Sequence, residues 1–332
     1  MKQDELLPLL AKIGDGKILQ QDSPDVSMIP CSFNPNLILV SSTDFFTPVS
    51  QNPYFQGRIA IANVLSDLYA VGVVQIDSVL MILTLSTMIP VEQREIVTSE
   101  MIRGFNDGCI LAGTRCTGGQ TVFNPWPLIG GTGSSVVQSS AVVRPDRLQD
   151  GDVIVLTKPL GTQIVGNLAL WMLDDNRWNG VVSKLIDEET AKRAVRIGEE
   201  SMMRLNRNAA VGMAIFDAHG CTDVTGFGVL GHAENLAKVQ KADVDIEITH
   251  LPIIKGLVGL ETGVTIDYKL TRGYSAETSG GLLIAFPPHQ VEAFKAFLAS
   301  VQEPDVWIVG RVLRGTKTAR ILPKEQLKII QV

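Results

Sequence analysis

The chain of 332 residues lacks the features that define several large classes of protein. It has no run of the ~18 consecutive apolar residues that a membrane-spanning helix needs, and residues 1–5 do not begin a secretory signal. Positive charge is in deficit, because 29 Lys and Arg against 35 Asp and Glu give a formal net charge of −6. Nucleic acids and anionic membranes attract concentrated positive charge, so neither is expected as a partner.

Cysteine and histidine are scarce, with four residues of each. No two cysteines have C-x-x-C spacing, which argues against a disulfide framework and a thiolate zinc site and is typical of the cytoplasm. We expect His219, His250 and His289, which have no ligand spacing, to be loop or surface residues. The P-loop and protein-kinase motifs are also missing, so any phosphate chemistry must use another kind of site.

The composition that is present predicts a folded protein of two domains. Hydrophobic residues make up 45% and charged residues 19% of the chain. At about 150 residues per domain, the length predicts two domains. The polar segment 144–152 contains Pro and Gly and predicts a boundary between residues 1–150 and residues 151–332.

Strand-like and helix-like segments alternate in both halves, which predicts an α+β or mixed α/β fold. Apolar spacing predicts helices over residues 57–71, 91–111, 162–173, 188–206, 228–239 and 290–298. Apolar runs predict strands over residues 37–40, 75–85, 114–121, 129–143, 153–156, 211–216, 244–248, 281–286 and 306–312.

Four aspartates stand where a purely structural role is hard to assign. Asp67 lies in an almost wholly apolar helix, one turn after Asn63 and on the same face, where a carboxylate is costly unless it is neutralised. Asp25 follows a polar segment, Asp44 follows an apolar strand, and Asp223 precedes a glycine turn. Aspartates without a thiol or histidine cluster favour a hard cation such as Mg²⁺. Each could instead cap a helix, form a turn or face solvent.

Two glycine clusters could bring backbone N–H groups close to a phosphate. Residues 117–121, Thr-Gly-Gly-Gln-Thr, predict such a turn, or alternatively a bulge or tight turn. Residues 226–231 match G-x-G-x-x-G, which leaves a nicotinamide-dependent oxidoreductase as an alternative function. That match is weak because residues 217–225 separate it from the nearest predicted strand. We interpret His232 as a positive group at a helix end, near which an anion could lie.

Several motifs, in order along nearly the whole chain, resemble those of the selenophosphate synthetase (selenide, water dikinase) family. They are STDFF at 42–46, GRIA with Asn63 and Asp67 at 57–67, TGGQT at 117–121, LTKPLG at 156–161, TDVTGFG with Gly231 and His232 at 222–232, and ETSGGLL at 277–283. The resemblance implies the two-domain fold of aminoimidazole ribonucleotide synthetase, whose N-terminal domain dimerises through its sheet and is covered by the C-terminal domain. It also implies that ATP, selenide and water give selenophosphate, AMP and orthophosphate with Mg²⁺ present. It leaves open whether a partner protein delivers the selenium.

The resemblance also implies roles for individual residues. Magnesium ligands fall on Asp25, Asp67 and Asp223. Contacts to ATP fall on Asp44, Asp67, Asn63, Gly119, Gln120 and Thr121. Carboxylates cannot contact phosphates directly, so bridging cations must join them. Lys158 and Arg58 are further candidates for direct contact with an anion.

The beginning of the chain departs from the family pattern. Family members carry a glycine-rich segment with a catalytic cysteine or selenocysteine followed by an essential lysine, and no residues here match that pair. Lys2 lies near the lysine position but lacks the cysteine context, and we expect Cys31 to be a buried or edge thiol. We therefore expect the chain as given to fold and dimerise but to catalyse the full reaction poorly. A non-enzymatic paralogue is the alternative.

Overall fold

A computed structural model describes residues 26–332, so Lys2 and Asp25 lie outside the described residues. The strands are β1 (Ser27–Cys31), β2 (Asn34–Phe46), β3 (Ser78–Ser86), β4 (Cys116–Asn124), β5 (Leu128–Gln138), β6 (Val153–Leu156), β7 (Gly220–Asp223), β8 (Val244–Ile248), β9 (His250–Ile253), β10 (Leu282–Phe286), β11 (Trp307–Arg314), β12 (Ala319–Ile321) and β13 (Lys328–Gln331). The α-helices are α1 (Pro53–Ala70), α2 (Val91–Ala112), α3 (Thr162–Trp171), α4 (Asp175–Gly180), α5 (Glu188–Met203), α6 (Arg207–Ile215), α7 (Gly228–Lys238), α8 (Leu260–Gly263) and α9 (Val291–Ser300). No helix among these is long and apolar enough to cross a membrane.

The strands form one sheet in each half of the chain and a small third sheet. The first sheet has the order β1-β2-β5-β3-β4 and is antiparallel except for the parallel pair β3 and β4. The second has the order β12-β8-β11-β6-β10-β7 and is antiparallel except at β12, while β9 and β13 pair in parallel. Helices pack against these sheets, which confirms the mixed α/β class.

Helix α1 joins the two halves of the molecule. The Asn52 side chain accepts a hydrogen bond from Tyr54 N at 2.9 Å and Pro53 occupies the first turn, so the helix begins before the predicted residue 57. It packs against α2, β2 and β5 of the first half and against α5, α6 and β7 of the second. Because both sides are covered, almost every residue of α1 is buried, which explains its apolar sequence.

The sequence predictions miss several elements, and one is wrong in type. The strand predicted over residues 211–216 is instead the end of α6, which stops at Ile215, because a short apolar run fits a buried helix as well as a strand. The strand predicted over residues 129–143 ends at Gln138 and is followed by a 3₁₀ turn. Strand β7 was not predicted, although it carries Asp223. Cys31 ends the edge strand β1, as expected for an edge thiol.

Glycines allow α1 and α2 to cross with their backbones in contact. A Cβ atom on Gly57 would lie 2.0 Å from Met101 O, and one on Gly104 would lie 2.0 Å from Tyr54 O. Neither oxygen can retreat without moving a helix. The α1–α2 contact therefore requires glycine at both positions.

We expect Gly104→Ala to lower the free energy of unfolding by about 1–3 kcal/mol, because the added methyl group overpacks the helix crossing. Chemical denaturation measures the change. Gly180→Ala is the matched control: it also adds a methyl group to a helix, but nothing lies within 4 Å of that Cβ. A Gly104→Ala protein as stable as the Gly180→Ala protein would contradict the close crossing.

A buried carboxylate covers the N-terminus of α3. Glu277 accepts hydrogen bonds from Gly161 N and Thr162 N, both at 2.8 Å, and from Thr162 Oγ1 at 2.5 Å. Burial raises the pKa of Glu277 from 4.5 to about 7, and the hydrogen bonds oppose that shift. The folded protein therefore holds this proton more tightly than the unfolded chain does.

The sign of the pH dependence follows from that raised pKa. The stability contributed by protonated Glu277 is fully present below its ordinary pKa of 4.5 and is lost as the pH rises through about 7. We expect the melting temperature of the wild type, relative to Glu277→Gln, to be higher at about pH 5.5 than at about pH 8.5. Glu292→Gln, at an exposed position of α9, is the control. Equal differences at both pH values would contradict the assignment.

Candidate active site at the junction of the two halves

The fold brings together three of the four aspartates singled out in the sequence. Asp44 lies on β2, Asp67 on α1 and Asp223 at the end of β7. Hydrogen bonding links Asp67 to Asp44 on one side and to Asp223 on the other. The Ser42 hydroxyl donates a further hydrogen bond to Asp67 Oδ2. The three carboxylates thus form a line, with Asp67 in the middle, across the junction between the two halves of the chain.

Burial makes the two outer carboxylates of this line, Asp44 and Asp223, difficult to ionise. Asp223 is 1% exposed, and burial raises its pKa to about 6, with a further contribution from the charge of Asp44. Hydrogen bonds from Ser66 and with Asp67 oppose the shift. Burial also raises the pKa of Asp44. Carboxylates in mutual contact must share protons or bind a cation.

One buried oxygen in the line is suited to a cation. Within residues 26–332, Asp223 Oδ1 is buried and has no hydrogen-bond partner. The same part of the chain contains no group of three or more His, Cys, Asp or Glu side chains placed to hold one metal ion. The acids therefore form an incomplete ligand set. Mg²⁺ is commonly held in this way, by one or two carboxylates together with water and substrate phosphates.

Asn63 lies one turn before Asp67 on α1, as the sequence predicted, and it also joins the two halves. Its Oδ1 accepts a hydrogen bond from Ser279 N at 2.9 Å. Ser279 is fully buried, has a φ of +47°, and donates from its hydroxyl to Met202 O at 2.7 Å. The carbonyl oxygen of Asn63 therefore holds the loop before β10 against α1.

Lys158 and Arg58 are not positioned as direct partners of an anion beside the acids. Lys158 is 1% exposed, and its Nζ donates to Arg204 O at 2.6 Å and to Ser279 O at 2.8 Å. Burial lowers its pKa. Arg58 lies nine residues before Asp67 on α1, or about 13 Å along the helix axis. Lys158 therefore fixes loops rather than offering an open cationic group.

The interpretation of His232 as a positive group is wrong. His232 is buried, and its Nε2 accepts a hydrogen bond from Thr225 N at 3.0 Å. Burial lowers the pKa of His232 to about 4, so it is neutral and cannot be the expected positive group. His219, expected in a loop or at the surface, lies in the loop between α6 and β7 but is buried there, and its Nδ1 lies 2.9 Å from Asp152 Oδ2.

Residues 117–121 lie in β4, in agreement with the strand predicted over residues 114–121, and they do not form a phosphate-binding turn. The pairing register skips Thr117, which agrees with the alternative of a bulge. Register places Asp44 opposite Gly131, Gly131 opposite Met81, and Met81 opposite Gly119. Three strand spacings of about 4.8 Å put Gly119 about 14 Å from Asp44. A Cβ on Gly119 would lie 1.9 Å from Met81 O, so this glycine permits close strand pairing. Gly119, Gln120 and Thr121 are therefore remote from the acids of their own chain.

The sheet topology argues against a dinucleotide-binding site at the G-x-G-x-x-G match of residues 226–231. The sequence argued against such a site for a different reason, namely that no predicted strand directly precedes the motif. A strand does precede it, because β7 ends at Asp223. However, β7 is an edge strand and pairs only with β10, antiparallel. The dinucleotide fingerprint belongs to parallel βαβ units. The sheet topology therefore does not favour the nicotinamide alternative.

Sequence reasoning missed the uncharged residues that orient the acids. Ser42 hydrogen-bonds to Asp67, and Ser66 hydrogen-bonds to Asp223. Ser66 directly precedes Asp67, and a polar residue in an apolar helix was a usable signal. Asn206 bonds to Ser66 and to Gly280 O, and no sequence pattern pointed to it.

Comparison with known proteins identifies relatives of the whole chain. Residues 25–137 match the AIR synthase related protein family, N-terminal domain, and residues 149–322 match its C-terminal domain. "Selenide, water dikinase" of Dictyostelium discoideum is 43% identical, covering 99% of this chain and 90% of the relative. "Selenide, water dikinase" of Trypanosoma brucei brucei is 44% identical, covering 99% of this chain and 86% of the relative.

Solved structures show the same fold at low sequence identity. Thiamine monophosphate kinase from Aquifex aeolicus aligns with a TM-score of 0.68 at 19% identity, covering 99% of this chain and 100% of that chain. Hydrogenase maturation protein HypE in complex with ATP aligns with a TM-score of 0.66 at 14% identity, covering 87% of this chain and 83% of that chain. The two-domain fold implied by the sequence motifs is thereby confirmed, and the chain belongs to the selenide, water dikinase family.

Proposed function

We propose that this chain catalyses ATP-dependent formation of selenophosphate from selenide and water, with AMP and orthophosphate as the other products. Family membership supports the reaction. The line of Asp44, Asp67 and Asp223 is the observation that supports placing the active site at the junction of the two halves. These acids come from three separated segments of both halves, yet they are in hydrogen-bonding contact. Buried like charges are costly, and bridging cations together with a triphosphate would balance them.

The residues present fit magnesium. Asp67 and Asp223 would supply carboxylate oxygens, and Asp25, which lies outside the described residues, is the third proposed ligand. When bound, Mg²⁺ would neutralise negative charge on the phosphates and on the transferring phosphoryl group. A few carboxylates sharing the ion with phosphates is the ligand set that Mg²⁺ commonly accepts.

The protein's own groups would position the nucleotide and exclude water. Asp44 and Asp67 are held by β2 and α1, which are rigid elements, so their oxygens are fixed before the nucleotide arrives. Asn63 and the Ser279 loop hold the second half of the chain against α1 beside them. Phosphoryl transfer depends mainly on such positioning and on charge stabilisation.

The intact line of acids favours an enzyme over a paralogue that has lost catalysis. A protein without need of a cation would gain stability by replacing the carboxylate of fully buried Asp223.

All four cysteines are free thiols in the structure, which supports a cytoplasmic location as part of the proposal. The division into domains at residue 150 stays a prediction.

Replacing the central acid tests the site. We expect Asp67→Asn to abolish Mg²⁺-dependent binding of a non-hydrolysable ATP analogue, because Asp67 joins the other two acids. Isothermal titration calorimetry measures the binding, and the melting temperature shows that the fold survives. Asp243→Asn, at an exposed position, is the control. Unchanged nucleotide affinity in Asp67→Asn would remove Asp67 from the site.

We propose that a second copy of the chain covers β4. This edge strand is exposed on both faces over residues 117–123, with Phe123 68% exposed, and Trp126 just after it is also 68% exposed. Long exposed edge strands are uncommon unless they pair with another chain. Because Gly119 lies far from the acids of its own chain, Gly119, Gln120 and Thr121 would contact the nucleotide bound to the partner copy.

A charge on this edge tests the dimer. We expect Phe123→Glu to produce a monomer in analytical ultracentrifugation, because the carboxylate would be buried without a partner. The monomer should also lose affinity for the ATP analogue with Mg²⁺, since the 119–121 segment would act across the interface. Leu173→Glu, at an apolar position 71% exposed in the second half, is the matched control and should stay dimeric. A Phe123→Glu dimer would contradict the proposal.

A further inference from the structure

We propose that Asn206 is a positioning residue for the metal site: it fixes the Ser66 hydroxyl as a hydrogen-bond donor to Asp223, so that Asp223 Oδ1 is presented to the cation. This inference rests on the magnesium site proposed above. Asn206 directly precedes α6 and is 3% exposed. It is not one of the proposed contacts to Mg²⁺ or ATP. Its side chain reaches α1 from the second half of the chain.

The orientation of the Asn206 amide follows from its partners. Its Nδ2 lies 3.0 Å from Ser66 Oγ and 2.9 Å from Gly280 O. Gly280 O is a carbonyl oxygen and can only accept, so the amide nitrogen, and not the amide oxygen, must face it. The two protons of the amide group are then both used, one on Gly280 O and one on Ser66 Oγ.

The orientation of the Asn206 amide determines which group receives the hydroxyl proton of Ser66. The hydroxyl has one proton and accepts through its oxygen. Because the oxygen accepts from Asn206, the proton remains for the Asp223 carboxylate, to which Ser66 is hydrogen-bonded. Without Asn206 the hydroxyl could turn to the carbonyl oxygen of Ala62, four residues earlier, as serines in helices commonly do. Asp223 would then lose a donor.

The fixed donor orients the carboxylate of Asp223. Within the described chain, Oδ1 has no hydrogen-bond partner, so the bonds from Ser66 and with Asp67 fall on Oδ2. A carboxylate held through one oxygen presents the other in one direction. In other metal sites, residues that hydrogen-bond to a metal ligand orient it in the same manner. Loss of such a residue typically costs roughly 10- to 100-fold in metal affinity.

The test measures binding of Mn²⁺ to the full chain, alone and with the non-hydrolysable ATP analogue, by electron paramagnetic resonance of the free ion. We expect Asn206→Ala to raise the Mn²⁺ dissociation constant roughly 10- to 100-fold. Asn208→Ala is the matched control. It removes the same side-chain amide two residues later, within α6, together with a 2.8 Å hydrogen bond to Glu303 Oε1, and should leave Mn²⁺ affinity unchanged.

A double-mutant cycle separates positioning from general destabilisation. Asn206 acts through Ser66, so Asn206→Ala should have little further effect on Mn²⁺ affinity in a Ser66→Ala background. Additive losses, or a lower melting temperature with unchanged Mn²⁺ affinity, would overturn the inference. If Asn206→Ala does not fold, Ser66→Ala alone must weaken Mn²⁺ binding for the inference to stand. A wild type that binds no Mn²⁺, either alone or with the non-hydrolysable ATP analogue, would overturn the magnesium site itself, and this inference with it.

Discussion

The structure depends on the contact between Asp67 and Asp223, two carboxylates that the folded chain brings together from opposite halves. Contact between two carboxylates, one of them buried, is unfavourable unless a proton or a cation lies between them. Asp223 is fully buried and its pKa is raised to about 6, so much of that cost is still present in the folded protein. A bound cation would remove it. The proposed cation would therefore bind where folding has already placed these carboxylates.

Helix α1 supplies the framework for this contact. Its apolar sequence is buried between α2 and the first sheet on one side and the second half on the other, so it cannot turn to expose a different face. Asn63, Ser66 and Asp67 are its polar exceptions near the acids, and each has a partner outside the helix. The close contact between α1 and α2, which Gly57 and Gly104 allow, fixes the position of α1 relative to α2. Rigid elements therefore position the acids before any ligand binds.

Much of the fold could be predicted from local sequence because its major elements have strong apolar periodicity. Helices α1, α2 and α7 and strand β8 lie close to their predicted positions. The segment 211–216 was mistaken for a strand because its short apolar run has no distinguishing period. Strand β7 was missed since a strand of only four residues, Gly-Cys-Thr-Asp, has little strand character and pairs only through distant β10.

The candidate site was predictable in part. Asp67 is conspicuous because a carboxylate in an apolar helix needs neutralisation, and that argument uses only the local sequence. The contact between Asp44 and Asp67 depends on the packing of α1 against β2, and the contact between Asp223 and Asp67 depends on packing between the halves. No local pattern contains either. The same limit applies to Asn206, and to the distance between Gly119 and Asp44, which follows only from the order of the strands.

The most direct test of this account is a crystal structure grown with Mn²⁺ and a non-hydrolysable ATP analogue, with data collected for the anomalous signal of manganese. The account predicts an anomalous peak in contact with both Asp67 and Asp223 and with phosphate oxygens of the analogue. A peak at the phosphates that touches neither carboxylate, or an analogue bound away from the junction of the two halves, would contradict it.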